Sequence, residues 1–389
     1  MKALKHRFDN LPIHKMIYYH SYNNLTSEQL NNAASQTGTS RSNLNPTGNQ
    51  QDCLGMTPLH ILACSTVHPP ELYRVLIEKY PENLIVKDEW GTVPLFYAVW
   101  GNASSEIVQL LVEKYLSIYP DNPEYMLYYG CALGLKARTL LGQKKWISTF
   151  FSAYRGFRII QKAAQLDSSM LDAYLPIGIV EYYSGLSNTL VKTGAKYFGL
   201  NASREEGIRK MEIAASQSPW AWTESLSVLS YIYQFIDIDK VRGLEVSKKL
   251  VEEFPNNYDY KIHYAVSLLQ TGDFKSSKLI LDDLDKTLYK QRPRHQKGFG
   301  SYLNYLWGHY YYIMGNEEKS LVYLDKCINY YFAELDAFLG EAYFLKAKIM
   351  DKRGNRAEAR KLYRKCIKLD NFSNVITLSK EYLNDPFEG

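Results

Sequence analysis

Two stretches of the chain repeat one another at a spacing of 36 residues: GMTPLHILA (55–63) realigns with GTVPLFYAV (91–99). The match continues downstream, where ELYRVLIEKYPE (71–82) aligns with EIVQLLVEKYLS (106–117). A degenerate copy precedes both, DNLPIHKMIYY (9–19), which puts Pro12 and His14 where the later copies put Pro58 and His60 or their equivalents. A period of this length is that of a helix-turn-helix unit that cannot bury its apolar face alone and must stack on its neighbours. The local chemistry agrees. Thr57 is placed to cap a helix, Pro58 occupies the first helical position where its missing N–H costs nothing, and Leu59 starts the buried face. His60 is placed to tie the turn to its neighbour.

TPLH is the ankyrin signature, so residues 8–118 resemble about three ankyrin repeats. The segments NQQDCLGMTPLHILACSTV and LYRVLIEKYPENLI resemble an ankyrin family abundant in diatoms. VPLF replaces TPLH at 93–96, and residues 24–51 interrupt the spacing. The interruption, NNAASQTGTSRSNLNPTGNQQ, is rich in Asn, Ser, Thr and Gly and reads as a long flexible loop.

After Pro120 the pattern changes. SLLQTGDF (267–274), YYIMGNEEKS (311–320) and IMDKRGNRAEA (349–359) each place a Gly-polar turn between two amphipathic helices. Seven residues before each turn glycine lies a small residue (Ala265, Gly308, Ala347), and five after it another (Ser277, Ser320, Ala359). Small residues at those points let paired helices approach closely. The same register runs more weakly through Gly178, Gly185, Gly207 and Ala214, through Gly243, Leu250 and Pro255, and from Leu135 to Ala163. Residues 121–386 therefore resemble a tetratricopeptide array of about six units. One unit (181–215) carries an insertion of about 17 residues, and its FGLNASREEGIRKM resembles bacterial tetratricopeptide proteins and a family of inclusion-body clearance proteins. The two halves meet at SIYPDNPEYM (117–126), so the expected domains are an ankyrin block at 1–119, with its loop at 24–51, and a tetratricopeptide array at 120–389.

Charge argues against a nucleic-acid role. The formal charge of +5 is small for 389 residues and divides into −1 over residues 1–120 and +6 beyond, with no concentrated basic face. Five cysteines (Cys53, Cys64, Cys131, Cys327, Cys366) are widely spaced, without a CxxC or zinc pattern, and read as reduced thiols. The first residues, MKALKHRFDNLPIHKM, show no apolar signal-peptide core, and no stretch has the length and apolarity of a membrane helix. The expected compartment is cytoplasmic. An excess of tyrosine, 33 against 15 phenylalanines, suits surfaces that are part packed and part wet.

No nucleotide-binding, metalloprotease, nucleophile-elbow or kinase motif is present. The eight histidines form no metal-spaced cluster, and His14 and His60 fall on the structural ankyrin position. The sequence therefore predicts no enzyme, no cofactor, no metal site and no small-molecule substrate. One surface stands out: the last helical pair is basic, with Arg356, Arg360 and Arg364 among ten cations, a docking face for an acidic peptide or anionic membrane, or a capping repeat kept soluble by charge. The asparagines of a chaperone-type carboxylate clamp are missing. The expected fold is an all-α solenoid. Its expected function is that of a protein-interaction scaffold that binds a partner's peptide or helix in a concave repeat surface, through Tyr264, Ser267, His309, Tyr312, Lys348, Asp351, Arg356, Arg360 and Arg364. The alternative is attachment to a membrane or organelle surface through the basic helices.

Overall fold

A computed structural model describes residues 7–19, 25–35, 48–65, 68–100, 103–142, 145–186, 199, 201–333 and 335–388. Among the described residues there are nineteen α-helices and no strand. They belong to two compact units, Met1–Ile177 and Gly178–Gly389.

The first unit opens with α1 (Pro12–Tyr19), α2 (Ser27–Ser35), α3 (Pro58–Ala63), α4 (Pro70–Lys79), α5 (Pro94–Trp100) and α6 (Ser105–Ile118). Proline stands at the first position of α1, α3 and α5, where the helix leaves an N–H unpaired in any case. The turn before α3 is built by Asp52, whose Oδ1 accepts from the backbone N–H of Leu54 (2.8 Å) and Met56 (3.0 Å). Asp88 repeats it 36 residues later, accepting from Trp90 (3.0 Å) and Thr92 (2.8 Å). Gly55 and Gly91 close these turns in the left-handed region, at φ 71° and 74°, where a side chain would be strained. The two turns stack through the N–H of Glu89, which donates to the carbonyl of Leu54 at 3.1 Å.

The histidines tie each repeat to the next. The Thr57 N–H donates to His60 Nδ1 at 3.1 Å, which leaves the proton on Nε2 to reach the Thr92 carbonyl at 3.1 Å. His14 Nε2 reaches the Met56 carbonyl of the following repeat in the same way, at 3.0 Å. Burial lowers the pKa of both rings, keeping them neutral. Phe96 takes the equivalent place on α5.

Part of the expected 24–51 loop is helical. Helix α2 lies inside it and buries Leu30 and Ala34, one turn apart. Its start is a reciprocal cap: Thr26 N–H donates to Gln29 Oε1 (3.0 Å) and Gln29 N–H donates to Thr26 Oγ1 (3.2 Å). Residues 36–47 of that segment lie outside the described residues. The unit continues with α7 (Pro123–Gly142) and α8 (Trp146–Leu166). Helix α6 packs on α7, and the Tyr115 ring lies parallel to Tyr125, so residues 117–126 are inside this unit.

The second unit contains α9 (Tyr174–Leu186) from Gly178 onward, followed by α10 (Arg204–Gln217), α11 (Trp222–Tyr231), α12 (Lys240–Glu253), α13 (Tyr258–Thr271) and α14 (Phe274–Thr287). After these come α15 (Pro293–Ile313), α16 (Glu317–Asn329), α17 (Ala337–Lys352), α18 (Arg356–Ile367) and α19 (Asn374–Asn384). One rule builds the hairpins. The second helix of each pair starts at a polar cap (Ser203, Asp239, Asp273, Asn316 or Asn355) whose side chain accepts a backbone N–H three residues on. Four residues after each cap stands a small buried residue, Gly207, Gly243, Ser277, Ser320 or Ala359. In the last three pairs the facing residue lies eight before the cap: Ala265, Gly308 and Ala347. Ser320 Oγ donates to the Gly308 carbonyl at 2.8 Å, fixing one such crossing. The α9–α10 crossing is tighter. A Cβ on Gly178 would sit 2.7 Å from the Gly207 carbonyl oxygen, and one on Gly207 would sit 2.6 Å from the Tyr182 nitrogen. Most of the insertion read at 181–215 (residues 187–198 and 200) lies outside the described residues.

The α11–α12 pair has one residue more than this spacing allows. The chain absorbs it as a π turn at Ile232–Ile236, all five residues buried. First helices also pack directly on one another, α13 on α15, α15 on α17 and α17 on α19, and form an inner wall. The wall doubles back on itself. The π turn touches α19, Phe235 lies 5.0 Å from the Phe338 ring, and Tyr183 of α9 lies 5.7 Å from Phe372, just before α19.

Candidate interaction surfaces

The sequence-predicted surface residues separate into three groups. Ser267 is the first correction: it is fully buried. The π turn aims Gln234 into the wall, where its amide nitrogen lies within 2.8 Å of both Ser267 Oγ and the His263 carbonyl. The Gln234 carbonyl, displaced from the regular ladder, accepts from Gln270 Nε2 at 2.9 Å. Ser247 Oγ completes the set, donating to Ser267 at 3.1 Å. This network fastens one pair to the next and presents nothing to a partner. Beyond it the inner wall is filled by the chain's own rings: Tyr302 stacks on Phe338 at 4.2 Å, and Tyr305 meets it edge-on at 5.5 Å. Tyr264 stands half-buried on α13.

The second group is brought together. His309 and Tyr312 from α15 lie beside Lys348 of α17, and Asp351 of α17 pairs with Arg356 at the start of α18. The Tyr305 hydroxyl and His309 Nδ1 are 3.1 Å apart. The same hydroxyl donates to Glu341 at 3.3 Å. Burial lowers the His309 pKa to about 4, helped by the positive charges of Lys348 and Lys240. Burial raises the Glu341 carboxyl to about 7, with Tyr305 and Lys348 opposing the rise. His309 is therefore neutral at physiological pH and Glu341 is only partly charged. Lys348 is the cation they leave exposed to this face. It makes no ion pair among the described residues, and burial lowers its pKa. Its ammonium instead lies over rings, 5.6 Å from Tyr312 and 4.0 Å from Phe387.

Asp351 departs from the expectation of an exposed contact residue. Its carboxylate has no exposed surface and is a hub: Arg356 Nη1 donates to both oxygens at 3.0 Å, the Tyr363 hydroxyl donates at 3.0 Å, and the Phe387 N–H donates at 3.1 Å. Arg356 is equally committed. Its other nitrogen, Nη2, donates to the carbonyls of Leu383 (3.0 Å) and Asn384 (3.2 Å) at the end of α19.

The third group is the exposed basic face. Arg360 and Arg364 are exposed on α18 and make no ion pair among the described residues. Helix α16 pairs three others of the basic cluster: Arg353 with Glu317 (2.9 Å) and Glu318 (2.8 Å), Lys352 with Glu317 (3.8 Å), and Lys346 with Asp325. No described helix is long and apolar enough to cross a membrane.

The first unit carries its own surface feature, an open apolar hollow of about 500 Å³ lined by Tyr18, Leu54, Met56, Trp90 and Phe96 with Arg7 at its edge. The sequence reading missed this, together with Glu341 and Phe387. A lone acid in AFLGEAYFLKA, seven residues before Lys348 and so on the same helix face, was the signal for Glu341.

The model for ankyrin repeats matches residues 21–122 in three copies. No curated protein matches the chain at a significant level. Among solved structures, a tetratricopeptide repeat protein from Parabacteroides merdae is 13% identical, with 78% of this chain and 96% of that chain covered at a TM-score of 0.43. A monomeric mutant of IFIT1 with Gppp-AAAA is 14% identical, with coverages of 95% and 80% and a TM-score of 0.41. The chain thus carries ankyrin repeats at residues 21–122, and its described residues beyond them form paired α-helices without a strand.

Proposed function

We propose that this protein is a non-enzymatic scaffold that holds a peptide segment of a partner on the inner wall of its second unit, between Tyr312 and Lys348. Ankyrin and tetratricopeptide repeats are protein-interaction folds, and function on such scaffolds resides in their surfaces. The observation that carries the reading is electrostatic. With His309 neutral and Glu341 partly protonated, Lys348 is the charge the wall offers, half-buried among aromatic rings and without an ion-pair partner among the described residues. A desolvated cation flanked by aromatic side chains is the composition of an interaction hot spot, and it selects an acidic partner segment.

The test is a selection of displayed peptides against the whole chain, followed by affinity measurement with Lys348→Ala and Tyr312→Ala. Both substitutions should weaken the enriched peptides by about ten- to a hundred-fold, the loss expected at a central contact. Arg364→Ala, on the exposed face of α18, should leave them unchanged. Enriched peptides that ignore Lys348 and Tyr312 but respond to Arg364→Ala would move the site to the basic outer face and overturn the proposal.

A further inference from the structure

The segment that follows α19 already lies on this wall. Arg356 holds the carbonyls of Leu383 and Asn384 and turns the chain back. Phe387 then lays its ring under the Lys348 ammonium at 4.0 Å, meets Tyr382 at 5.5 Å, and gives its N–H to Asp351 at 3.1 Å. On either side of the aromatic stand exposed acids, Asp385 and Glu388. The contacts are those of a bound peptide: a backbone N–H to a fixed acceptor and a ring on a desolvated cation, with exposed acids on either side of the ring in sequence.

The geometry points to Asp385–Glu388 as an internal ligand of the Lys348 notch, and hence to a partner segment of the same chemistry: an extended acidic peptide with one aromatic residue. This rests on the proposed inner-wall site and adds both its specificity and its control. A partner carrying an acid–x–aromatic–acid pattern matches the sequence Asp385–Glu388 and lets its aromatic take the contacts of Phe387, and it gains access when the internal segment leaves. Phe387 is only half-buried and is held by one backbone hydrogen bond and ring contacts, so release breaks no core packing. Asp351 does not depend on the segment, because Arg356 and Tyr363 satisfy it from within the fold.

The test uses a fluorescently labelled peptide of the sequence Tyr382–Glu388 as probe, titrated by anisotropy with the full chain. Phe387→Ala empties the notch of its own ring. The doubly charge-reversed chain Asp385→Lys/Glu388→Lys, altered only at exposed positions, weakens the internal segment by an independent route. Both variants should bind the probe about ten-fold more tightly than the unaltered chain, the gain expected when an occupant present about nine-tenths of the time is removed. Adding Lys348→Ala to either should abolish the gain. Equal probe binding by all chains, or no binding by either emptied variant, overturns the internal-ligand assignment. The inner-wall reading stands or falls separately on the peptides selected above, whose dependence on Lys348 and Tyr312 does not require that they resemble the internal segment.

Discussion

The opposed protonation of Glu341 and His309 makes a prediction that can be worked through in sign and size. Glu341 titrates near 7 in the fold against an ordinary 4.5, so between those values the folded chain keeps a proton that the unfolded chain has lost. Its contribution to stability is complete below pH 4.5 and is lost as pH rises through 7. His309 titrates near 4 against an ordinary 6.5, so the unfolded chain gains a proton that the folded chain refuses. Its contribution is complete above pH 6.5 and is lost as pH falls towards 4. Each displacement corresponds to about 3 kcal/mol at 1.4 kcal/mol per unit. Both side chains are partly solvated, and screening reduces this to about 1–2 kcal/mol apiece. In the unaltered chain the two slopes oppose one another over nearly the same window, and stability changes little between pH 4.5 and 6.5 on their account. Glu341→Gln removes the falling slope. Its melting temperature relative to the unaltered chain should therefore rise with pH, from no difference near pH 4.5 to about 3–6 °C above it at pH 7.5. Scanning calorimetry in matched-ionic-strength buffers at half-unit steps would measure the difference curve. A flat difference between pH 4.5 and 7.5 would refute the reasoning. His309→Asn should give a curve of opposite slope, with its gain at the acidic end.

Two further perturbations test the packing. Gly207→Ala drives a methyl group to within 2.6 Å of the Tyr182 nitrogen and should cost about 1–3 kcal/mol in denaturant melts, whereas Gly134→Ala on α7, with open space around it, should stabilise by about 0.5–1 kcal/mol; equal effects would contradict the crossing geometry. Leu30→Ala should destabilise by about 2–4 kcal/mol, because Leu30 has no exposed surface on α2, and a neutral result in thermal melts would return that segment to a surface loop.

The parts of the fold that were legible in the sequence are those set by residues close together in the chain. Pro58, Thr57 and His60 act within one turn. The spacing from Asp273 to Ser277, or Asn316 to Ser320, is fixed by a cap and one helical turn. Helix α2 was missed because SEQLNNAAS is polar on most faces, yet Thr26 and Gln29 spelled its cap and Leu30 and Ala34 its buried stripe. The interaction surface was harder to read because it depends on register between distant pairs. Ser267 turns out buried against Gln234 and Ser247, twenty to some thirty positions earlier in the chain. Asp351 and Arg356 look like free surface charges until Tyr363 and the segment around Phe387 are placed beside them.

The doubling back of the second unit bears on how it comes apart. A linear array of repeats frays from its ends, because a terminal pair has one neighbour and an inner pair has two. Here the π turn rests on α19, and Tyr183 rests on Phe372, so the pairs nearest its two limits touch one another. Opening any one pair exposes surface on both flanks. Such an arrangement loses the graded, unit-by-unit melting of an open array and behaves as a single cooperative block, closer to a globular domain than to a string of modules.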